Sequence, residues 1–368
     1  MRIAFFGSSL VSAYRNGAAI YYRGIVRSLN ALGHDITFYE PDAFERQQHR
    51  DISDPSWARV VVYPSAGIEG VTKALESARG ADLIVKASGV GVFDDLLERE
   101  ALNSKRSGAL AVFWDVDAPA TLERIQKDAH DASRELIPRY DMILTSGGGD
   151  PVVQAYKALG ARECVPIYNA LDPSTHFPVP PESRFRCDLA FVGNRLNDRE
   201  ARVEEFFFRA AAALPHRDFL IAGNGWTDRA LPRNVRDIGH LFTADHNAFN
   251  STPKAVLNVN RESMARFGFS PPTRMFEAAG AGACLITDAW NGIEKFFEPG
   301  REILVASSAE EIVGQLRAVG PQQARSIGQA MRQRALREHT YALRAAEADG
   351  VLQRALKANV SEPVAVSL

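Results

Sequence analysis

The chain has 368 residues, of which 46% are hydrophobic and 24% are charged, which is an ordinary globular composition. A chain of this length exceeds what a single hydrophobic core usually serves, so we expect two domains. Its formal net charge of −2 at pH 7 provides no basic field for a nucleic-acid partner. No segment approaches the roughly 20 apolar residues that span a bilayer, so we predict a cytoplasmic protein without a transmembrane segment, and peripheral contact with a membrane stays open.

The three cysteines, Cys164, Cys187 and Cys284, lie far apart in apolar or strand-like segments. An odd number does not suit a disulfide framework, and no Cys-x-x-Cys pair or Cys/His cluster has the spacing of a zinc site. We therefore predict buried thiols in a reducing compartment, with no metal and no other cofactor.

In the first half of the chain, short apolar runs alternate with amphipathic stretches. The predicted strands are RIAFFG, DITFYEP, ARVVVYP, ADLIVKASG, ALAVFWDVD and DMILTSGG. Between several of them lie helical patterns such as YYRGIVRSLNALG, which ends at Gly33. This repeated strand–helix–strand order predicts a parallel sheet with helices on both faces.

A proline-rich break follows. The stretch LDPSTHFPVPPESRFR has four prolines and no periodicity, so we predict a linker at 173–186 between domains at 1–172 and 187–338. The second half repeats the α/β pattern, with CDLAFVGN, FLIAGNG, AVLNVN, ACLITD and EILVA as strands. Residues 339–368 are predicted to form a helix that packs back toward the N-terminal domain, followed by a frayed tail.

Two strands of the second half end in polar, glycine-rich turns. The residues of these turns are Gly193, Asn194, Arg195, Gly223, Asn224 and Gly225. Glycines here let the backbone approach phosphate oxygens, and the N-terminus of a following helix supplies N–H donors. Taken alone, each turn is more typical of a tight strand–helix connection than of a binding loop.

The stretch from Ser270 to Asp288, SPPTRMFEAAGAGACLITD, favours the interpretation that this half of the chain binds a ligand with a phosphate group. Its prolines predict a helix that begins near Thr273, with Thr273 as a candidate cap. Arg274 and Glu277 then share a face of the first turns, where a surface ion pair is the simpler interpretation. Because the helix continues with small residues, it can lie close to a strand and leave this polar face for a ribose and a phosphate.

Several motifs resemble a known family. GFSPPTRMFEAAGAGACLITD, FFEPGREILVASSAEEI and REHTYALR resemble the donor-domain signature of glycosyltransferases of the CgeB-like group (spore maturation protein CgeB), which is related to glycosyltransferase family 4. FVGNR, AGNGW and AVLNVN follow the same order, and the resemblance is densest over 187–344. It implies two Rossmann-like, doubly wound parallel-sheet domains that face each other across a cleft, the GT-B fold.

The resemblance also implies an activity: transfer of a sugar from a nucleotide diphosphate sugar, with a UDP-sugar favoured, to a hydroxyl of a saccharide or small-molecule acceptor. Glu277 corresponds to the glutamate that holds the ribose hydroxyls. Arg274 and Arg195 would stabilise the leaving diphosphate, with Asn194 beside them, and the turn at His240 would read the base. The remaining residues predicted at the donor are Gly193, Gly223, Asn224, Gly225, Ser270, Pro272 and Thr273.

The chain departs from the family at one position. Family 4 enzymes commonly carry a second glutamate eight positions before the ribose-binding one, and here that position is Phe269. The sugar contacts and the retaining outcome that the family implies therefore stay open. The donor half has no Asp-x-Asp cluster for a metal, so we expect a metal-independent reaction in which arginines and helix N-termini neutralise the diphosphate.

Two carboxylates end a strand of the first half, in WDVDAP. Asp115 or Asp117 could act as a base on the acceptor hydroxyl or hold the acceptor, while the alternative is that one of them caps the following helix. The loop after the first strand is predicted to contact the acceptor as well, through Tyr14, Arg15, Asn16 and Gly17.

Two other functions remain open for the same fold. A catalytically silent relative would bind nucleotide sugars without transferring the sugar, which the phenylalanine at 269 would suit. A nucleotide-sugar epimerase would convert the sugar without any acceptor.

Overall fold

The structure, a computed structural model, describes residues 1–14 and 16–361, with side chains as far as Asn359. The chain divides into two compact units. The first comprises residues 1–168 and the helix that begins at Tyr341, and the second comprises Asn169–Thr340. Each unit has its own sheet and its own hydrophobic core.

Among the described residues, the strands form one sheet in each unit. In the first unit they are β1 Arg2–Phe6, β2 Asp35–Asp42, β3 Arg59–Pro64, β4 Leu83–Ala87, β5 Leu110–Asp115, β6 Met142–Thr145 and β7 Cys164–Pro166. In the second they are β8 Leu189–Val192, β9 Phe219–Ala222, β10 Val235–Asp237, β11 Ala255–Asn258, β12 Leu285–Asp288 and β13 Leu304–Ala306.

The α-helices lie between these strands in the alternating order that the sequence predicts. They are α1 Ala19–Ala31, α2 Ile68–Ala78, α3 Asp94–Asn103, α4 Ala118–Lys127, α5 Ser133–Leu136, α6 Gly149–Ala158, α7 Asn197–Val203, α8 Arg209–Ala213, α9 His246–Ser251, α10 Glu262–Phe267, α11 Thr273–Gly280, α12 Ala309–Ala318, α13 Pro321–Glu338 and α14 Tyr341–Ser361. A π-helical segment, Glu204–Phe208, joins α7 to α8.

Both sheets are parallel throughout their described strand pairs. The first has the order β3-β2-β1-β4-β5-β6-β7, and the second has the order β10-β9-β8-β11-β12-β13. These are doubly wound, Rossmann-like orders, which confirms the predicted fold class. The strand order reverses beside β1 in the first sheet and beside β8 in the second, and ligands of such sheets bind at the carboxyl ends of the strands near that point.

The interior strands form because their residues are apolar on both faces. All six residues of β5 are buried, as expected for a parallel strand covered by helices on each side. The edge strands β7 and β10 have three residues each, and neither was predicted from the sequence. Such short segments carry too few apolar residues to stand out as a run.

The C-terminal helix α14 packs against α1 within the first unit. Gly24 makes this approach close, because a Cβ at this position would lie 2.2 Å from the Tyr341 ring. No described helix is both long enough and apolar enough to cross a membrane. The predicted frayed tail lies almost entirely outside the described residues.

The segment 173–186, predicted as a linker, lies within the second unit. Its Phe185 is buried, and the Glu182 backbone N–H donates to Thr252 Oγ1 at 3.0 Å. The prolines of this segment therefore belong to an extended strap that is packed on the second unit.

Candidate functional site

The turns after β8 and β9 lie against each other. The Gly223 N–H donates to the Gly239 carbonyl at 2.7 Å, and a Cβ at Gly223 would lie 2.3 Å from the Gly193 oxygen. Gly223 also has a φ of +122°, so only glycine meets both conditions without strain. Asn194 Oδ1 accepts from the Asn224 N–H at 2.9 Å. The structure thus brings together the two glycine turns that the sequence singled out.

Arg195 lies in the first of these turns but is engaged elsewhere. Its Nη2 lies 2.6 Å from Glu200 Oε1, and about a third of each side chain is exposed. Gly225 has a φ of +89°, and a Cβ there would lie 3.1 Å from the Arg195 Cβ. Arg195 is therefore held at the surface by Glu200, so its predicted contact with a diphosphate would require this ion pair to open.

Arg199, in the first turn of α7, takes the inward position instead. Its Nη2 donates to the Asn194 carbonyl at 2.6 Å, and its guanidinium fills the space beside Gly193, where a Cβ would lie 2.8 Å from Nη2. Its buried Nε has no hydrogen-bond partner among the described residues. Burial and the neighbouring guanidinium of Arg274 lower the pKa of Arg199 to about 10.

Arg274 is the second residue of α11. Its Nη1 is buried and, within the described part of the chain, has no hydrogen-bond partner. Burial lowers the pKa of Arg274, with the Glu277 carboxylate acting against this shift. Two guanidiniums with unsatisfied buried N–H groups near each other form a site that is suited to an anion.

Glu277, one turn further along α11, is 5% exposed. Its Oε2 has no hydrogen bond of normal length within the described residues, and His246 Nδ1 lies 3.7 Å from it. Burial opposes the carboxylate charge. The imidazoles of His246 and His176 and the Arg274 guanidinium outweigh this effect, and they hold the pKa of Glu277 far below its usual value. Glu277 is therefore an ionised acceptor with capacity for a ligand's hydroxyls.

The same carboxylate belongs to a group that could hold a metal ion. One ligand atom each from His176, His246 and Glu277 lies within 4.8 Å of the others. These residue types suit zinc and similar metals. The expectation that the chain binds no metal stays a prediction.

The start of α11 differs from the prediction in one detail. Pro272 is the residue that precedes the helix, Thr273 is its first residue, and no side chain caps it. The prediction that Thr273 is the cap was therefore wrong, because proline has already set an extended conformation before the first turn. Ser270 is buried, and its Oγ donates to the Gly268 carbonyl at 2.9 Å.

Two other predicted positions flank this region. Phe269 has a φ of +48°, unusual for a residue with a side chain, and a Cβ at Gly292 would lie 2.2 Å from the Phe269 ring. Where family 4 enzymes commonly carry a glutamate, this chain thus has an aromatic ring packed on a glycine. His240 is exposed, and its ring lies edge-on to that of Phe242, with 4.8 Å between the centroids.

In the first unit, Asp115 is completely buried at the end of β5. Its Oδ1 accepts from Ser88 Oγ at 2.6 Å and from the Asp117 N–H at 3.0 Å, and its Oδ2 accepts from Tyr156. Burial raises its pKa, although these hydrogen bonds act in the opposite direction. Asp115 has no exposed surface and several hydrogen-bond donors around it. It therefore supports the loop that follows β5 and does not contact an acceptor substrate directly.

Asp117 is partly exposed and precedes α4, without a side-chain hydrogen bond that caps the helix. In the loop after β1, Asn16 is buried, and its Nδ2 donates to the carbonyls of Ser9 and Ser12 at 2.9 and 3.0 Å. Asn16 thus shapes the loop.

The other predicted acceptor residues are Tyr14, Arg15 and Gly17. The Tyr14 ring stacks on His49, with 4.1 Å between the centroids, and a Cβ at Gly17 would meet nothing within 4 Å. Arg15 lies outside the described residues.

Sequence reasoning missed three residues of the second unit: Arg199, His176 and His246. Arg199 lies five residues after Asn194, so its nearness to the predicted turn was the local sign that it could belong to the site. The two histidines are 70 positions apart, so no local pattern connects them.

Residues 199–349 match the family model described as glycosyl transferase-like. Sucrose-phosphate synthase from Thermosynechococcus elongatus has a similar structure, with a TM-score of 0.70 and 13% identity over 97% of this chain and 100% of that one. HepE of Anabaena, solved with UDP and glucose, has a TM-score of 0.69 and 14% identity over 96% and 100% of the two chains.

An alpha-glucosyltransferase, solved with UDP-glucose and DNA containing an abasic site, has a TM-score of 0.71 and 12% identity over 96% of this chain and 99% of that one. No curated protein matches the sequence. The CgeB-like subgroup thus stays a prediction. Residues 199–349 thus form a glycosyl transferase-like domain, and the chain has the GT-B fold of these glycosyltransferase structures.

Proposed function

We propose that the chain transfers a sugar from a UDP-sugar to the hydroxyl of a saccharide or small-molecule acceptor, without a metal ion and with retention of configuration. One observation carries this proposal. Within the glycosyl transferase-like domain, Arg199 and Arg274 have unsatisfied buried N–H groups and lie near each other, and Arg274 lies near the ionised, buried carboxylate of Glu277.

The charges of this group match the parts of a nucleoside diphosphate. The guanidiniums supply donors for phosphate oxygens, and charge-assisted hydrogen bonds of this kind are the strong ones. They also stabilise the negative charge that develops on the diphosphate as the sugar departs, which is why no metal is needed there. The Glu277 carboxylate accepts hydrogen bonds from ribose hydroxyls.

The glycine turns complete the donor site. Because Gly193 and Gly223 lack side chains, the turns after β8 and β9 pack closely and leave room for the Arg199 guanidinium, which would meet a phosphate at the carboxyl ends of these strands. Arg195 would contribute once its ion pair with Glu200 opens. In the first unit, the partly exposed Asp117 is the better candidate for contact with an acceptor, since Asp115 is buried.

The location of the reaction is part of the same proposal. We place it in the cytoplasm, because the three cysteines are unpaired thiols, two of them buried, as suits a reducing compartment.

The test is nucleotide binding and turnover. Glu277→Gln keeps the shape of the side chain but removes its charge and one acceptor, so UDP should bind about 10- to 100-fold more weakly in calorimetry, as roughly 1.5–3 kcal/mol for hydrogen bonds to a charged group implies. Glu310→Gln, on the exposed face of α12, is the matched control and should leave the affinity unchanged.

Turnover is measured as release of free nucleotide from a panel of UDP-, GDP-, ADP- and dTDP-sugars. Release of UDP supports transferase activity. Tight UDP binding without release from any donor, with or without sugar acceptors, would instead indicate a catalytically silent relative. Equal affinity of wild type and Glu277→Gln for UDP would remove Glu277 from the site.

A further inference from the structure

The carboxylate of Glu277 is placed among imidazoles from two distant parts of the second unit. His246 is the first residue of α9, which packs against α11, and its Nδ1 lies 3.7 Å from Glu277 Oε2. His176 comes from the strap at 173–186. Because Oε2 is buried and no described group donates to it at hydrogen-bond distance, the nearest imidazole N–H is its available partner.

The position of His176 is set by close packing. A Cβ at Gly280, the last residue of α11, would lie 2.7 Å from the His176 carbonyl oxygen, so the strap lies directly on the helix. Thr175 Oγ1 lies 2.9 Å from His176 Nδ1 and orients the ring. The imidazole is buried, and burial lowers its pKa.

The beginning of α9 is tied to the same strap. Asn247 Nδ2 donates to the Thr175 carbonyl at 2.9 Å, and the Phe177 N–H donates to Asn247 Oδ1 at 3.3 Å. Asn247, next to His246, is thus hydrogen-bonded to Thr175 and Phe177, the residues on either side of His176. The two imidazoles are therefore presented to Glu277 as one rigid arrangement.

We propose that His246, supported by His176, is a positioning residue that orients the Glu277 carboxylate to accept the cis-hydroxyls of a ribose. This inference rests on the proposed function. A divalent metal ion is the competing occupant of the same three side chains. The positive charge of Arg274 on the same helix opposes a dication there, and it favours hydrogen bonding over metal ligation.

The experiment compares UDP with 2′,3′-dideoxy-UDP, which lacks both ribose hydroxyls, by calorimetry on wild type, His246→Ala and His246→Asn. We expect His246→Ala to lower the preference for UDP over the dideoxy nucleotide about tenfold, while affinity for the dideoxy nucleotide stays near that of wild type. His246→Asn should restore most of the preference, because its amide N–H takes the place of Nδ1–H.

Equal losses for both nucleotides in His246→Ala would mean a general structural role and would overturn the inference. So would tight binding of Zn²⁺ by wild type that His246→Ala abolishes, since this would assign the cluster to a metal. Failure of wild type to bind UDP at all would reject the proposed function itself, and the inference with it. Thermal unfolding of each variant confirms that the fold is intact.

Discussion

Replacing Arg199 with methionine should make the second unit more stable and its nucleotide binding weaker. Arg199 is partly buried beside Arg274, and this environment lowers its pKa to about 10, well below the ordinary value of an arginine. A group whose pKa falls on folding destabilises the folded state wherever it is protonated, so the full penalty is present near pH 7. Methionine has similar length and no charge.

The magnitude follows from the pKa. The fall from the ordinary arginine value to a pKa of about 10 corresponds to about 3 kcal/mol, at 1.36 kcal/mol for each step of one in pKa. The substitution also removes the 2.6 Å hydrogen bond from Nη2 to the Asn194 carbonyl, and this loss reduces the gain in stability by about 1 kcal/mol. The net gain of about 2 kcal/mol should raise the melting temperature by roughly 4–8 °C for a unit of this size.

The assay pairs calorimetric unfolding with UDP and uridine titrations. Loss of a charge-assisted hydrogen bond to phosphate should weaken UDP binding about 10- to 100-fold, whereas uridine, which has no phosphate, should bind as before. Arg209→Met is the control, because this arginine is exposed and pairs with Glu205, four residues earlier on the same helical surface. A lower melting temperature together with unchanged UDP affinity in Arg199→Met would refute the reasoning.

Three further outcomes are expected. Gly328→Ala should lower the melting temperature by roughly 2–12 °C, because its Cβ would lie 2.1 Å from the Gly282 carbonyl oxygen and overpacking costs about 1–3 kcal/mol. Asp115→Ala should destabilise the first unit by about 2–4 kcal/mol in urea unfolding, since it leaves buried hydroxyls without their acceptor. The thiols should resist a disulfide reagent at pH 8 until the protein unfolds, because burial raises the pKa of each cysteine to about 12 and only about one in 10,000 is then a thiolate.

Each of these outcomes has a control. Gly314→Ala, in α12, would meet nothing within 4 Å and should be neutral or slightly stabilising, so a matching loss there would contradict the steric account. Asp117→Ala should cost less than about 1 kcal/mol, because Asp117 is partly exposed. Rapid labelling of Cys164 and Cys284 in the native protein would show that these two thiols are not buried as described.

Much of the fold could be predicted from local pattern. Interior strands such as β5 are continuous apolar runs, and helices such as α1 have apolar residues at helical spacing and a glycine after their last turn, here Gly33 with a φ of +89°. The short edge strands β7 and β10 were not predicted, because three residues are too few for an apolar pattern to be recognised.

The candidate site was predictable only in part. Arg274 and Glu277 stood out because a charged pair heads a helix of small residues. Arg195 and Arg199 are both near the start of α7, and the sequence does not distinguish which one faces inward. Glu200, which pairs with Arg195, and the open space at Gly193, which Arg199 fills, decide between them.

By itself, the sequence determined the alternation of strands and helices, the parallel sheets and the residues at the head of α11, because these depend on neighbours a few positions apart. Only the tertiary structure decided that Asp115 is buried, that α14 crosses α1 at Gly24, and that His176 and His246 meet at Glu277. Such contacts join residues that are distant in the chain, and they depend on how closely two backbones can approach. Steric fit of this kind is a property of the packed molecule.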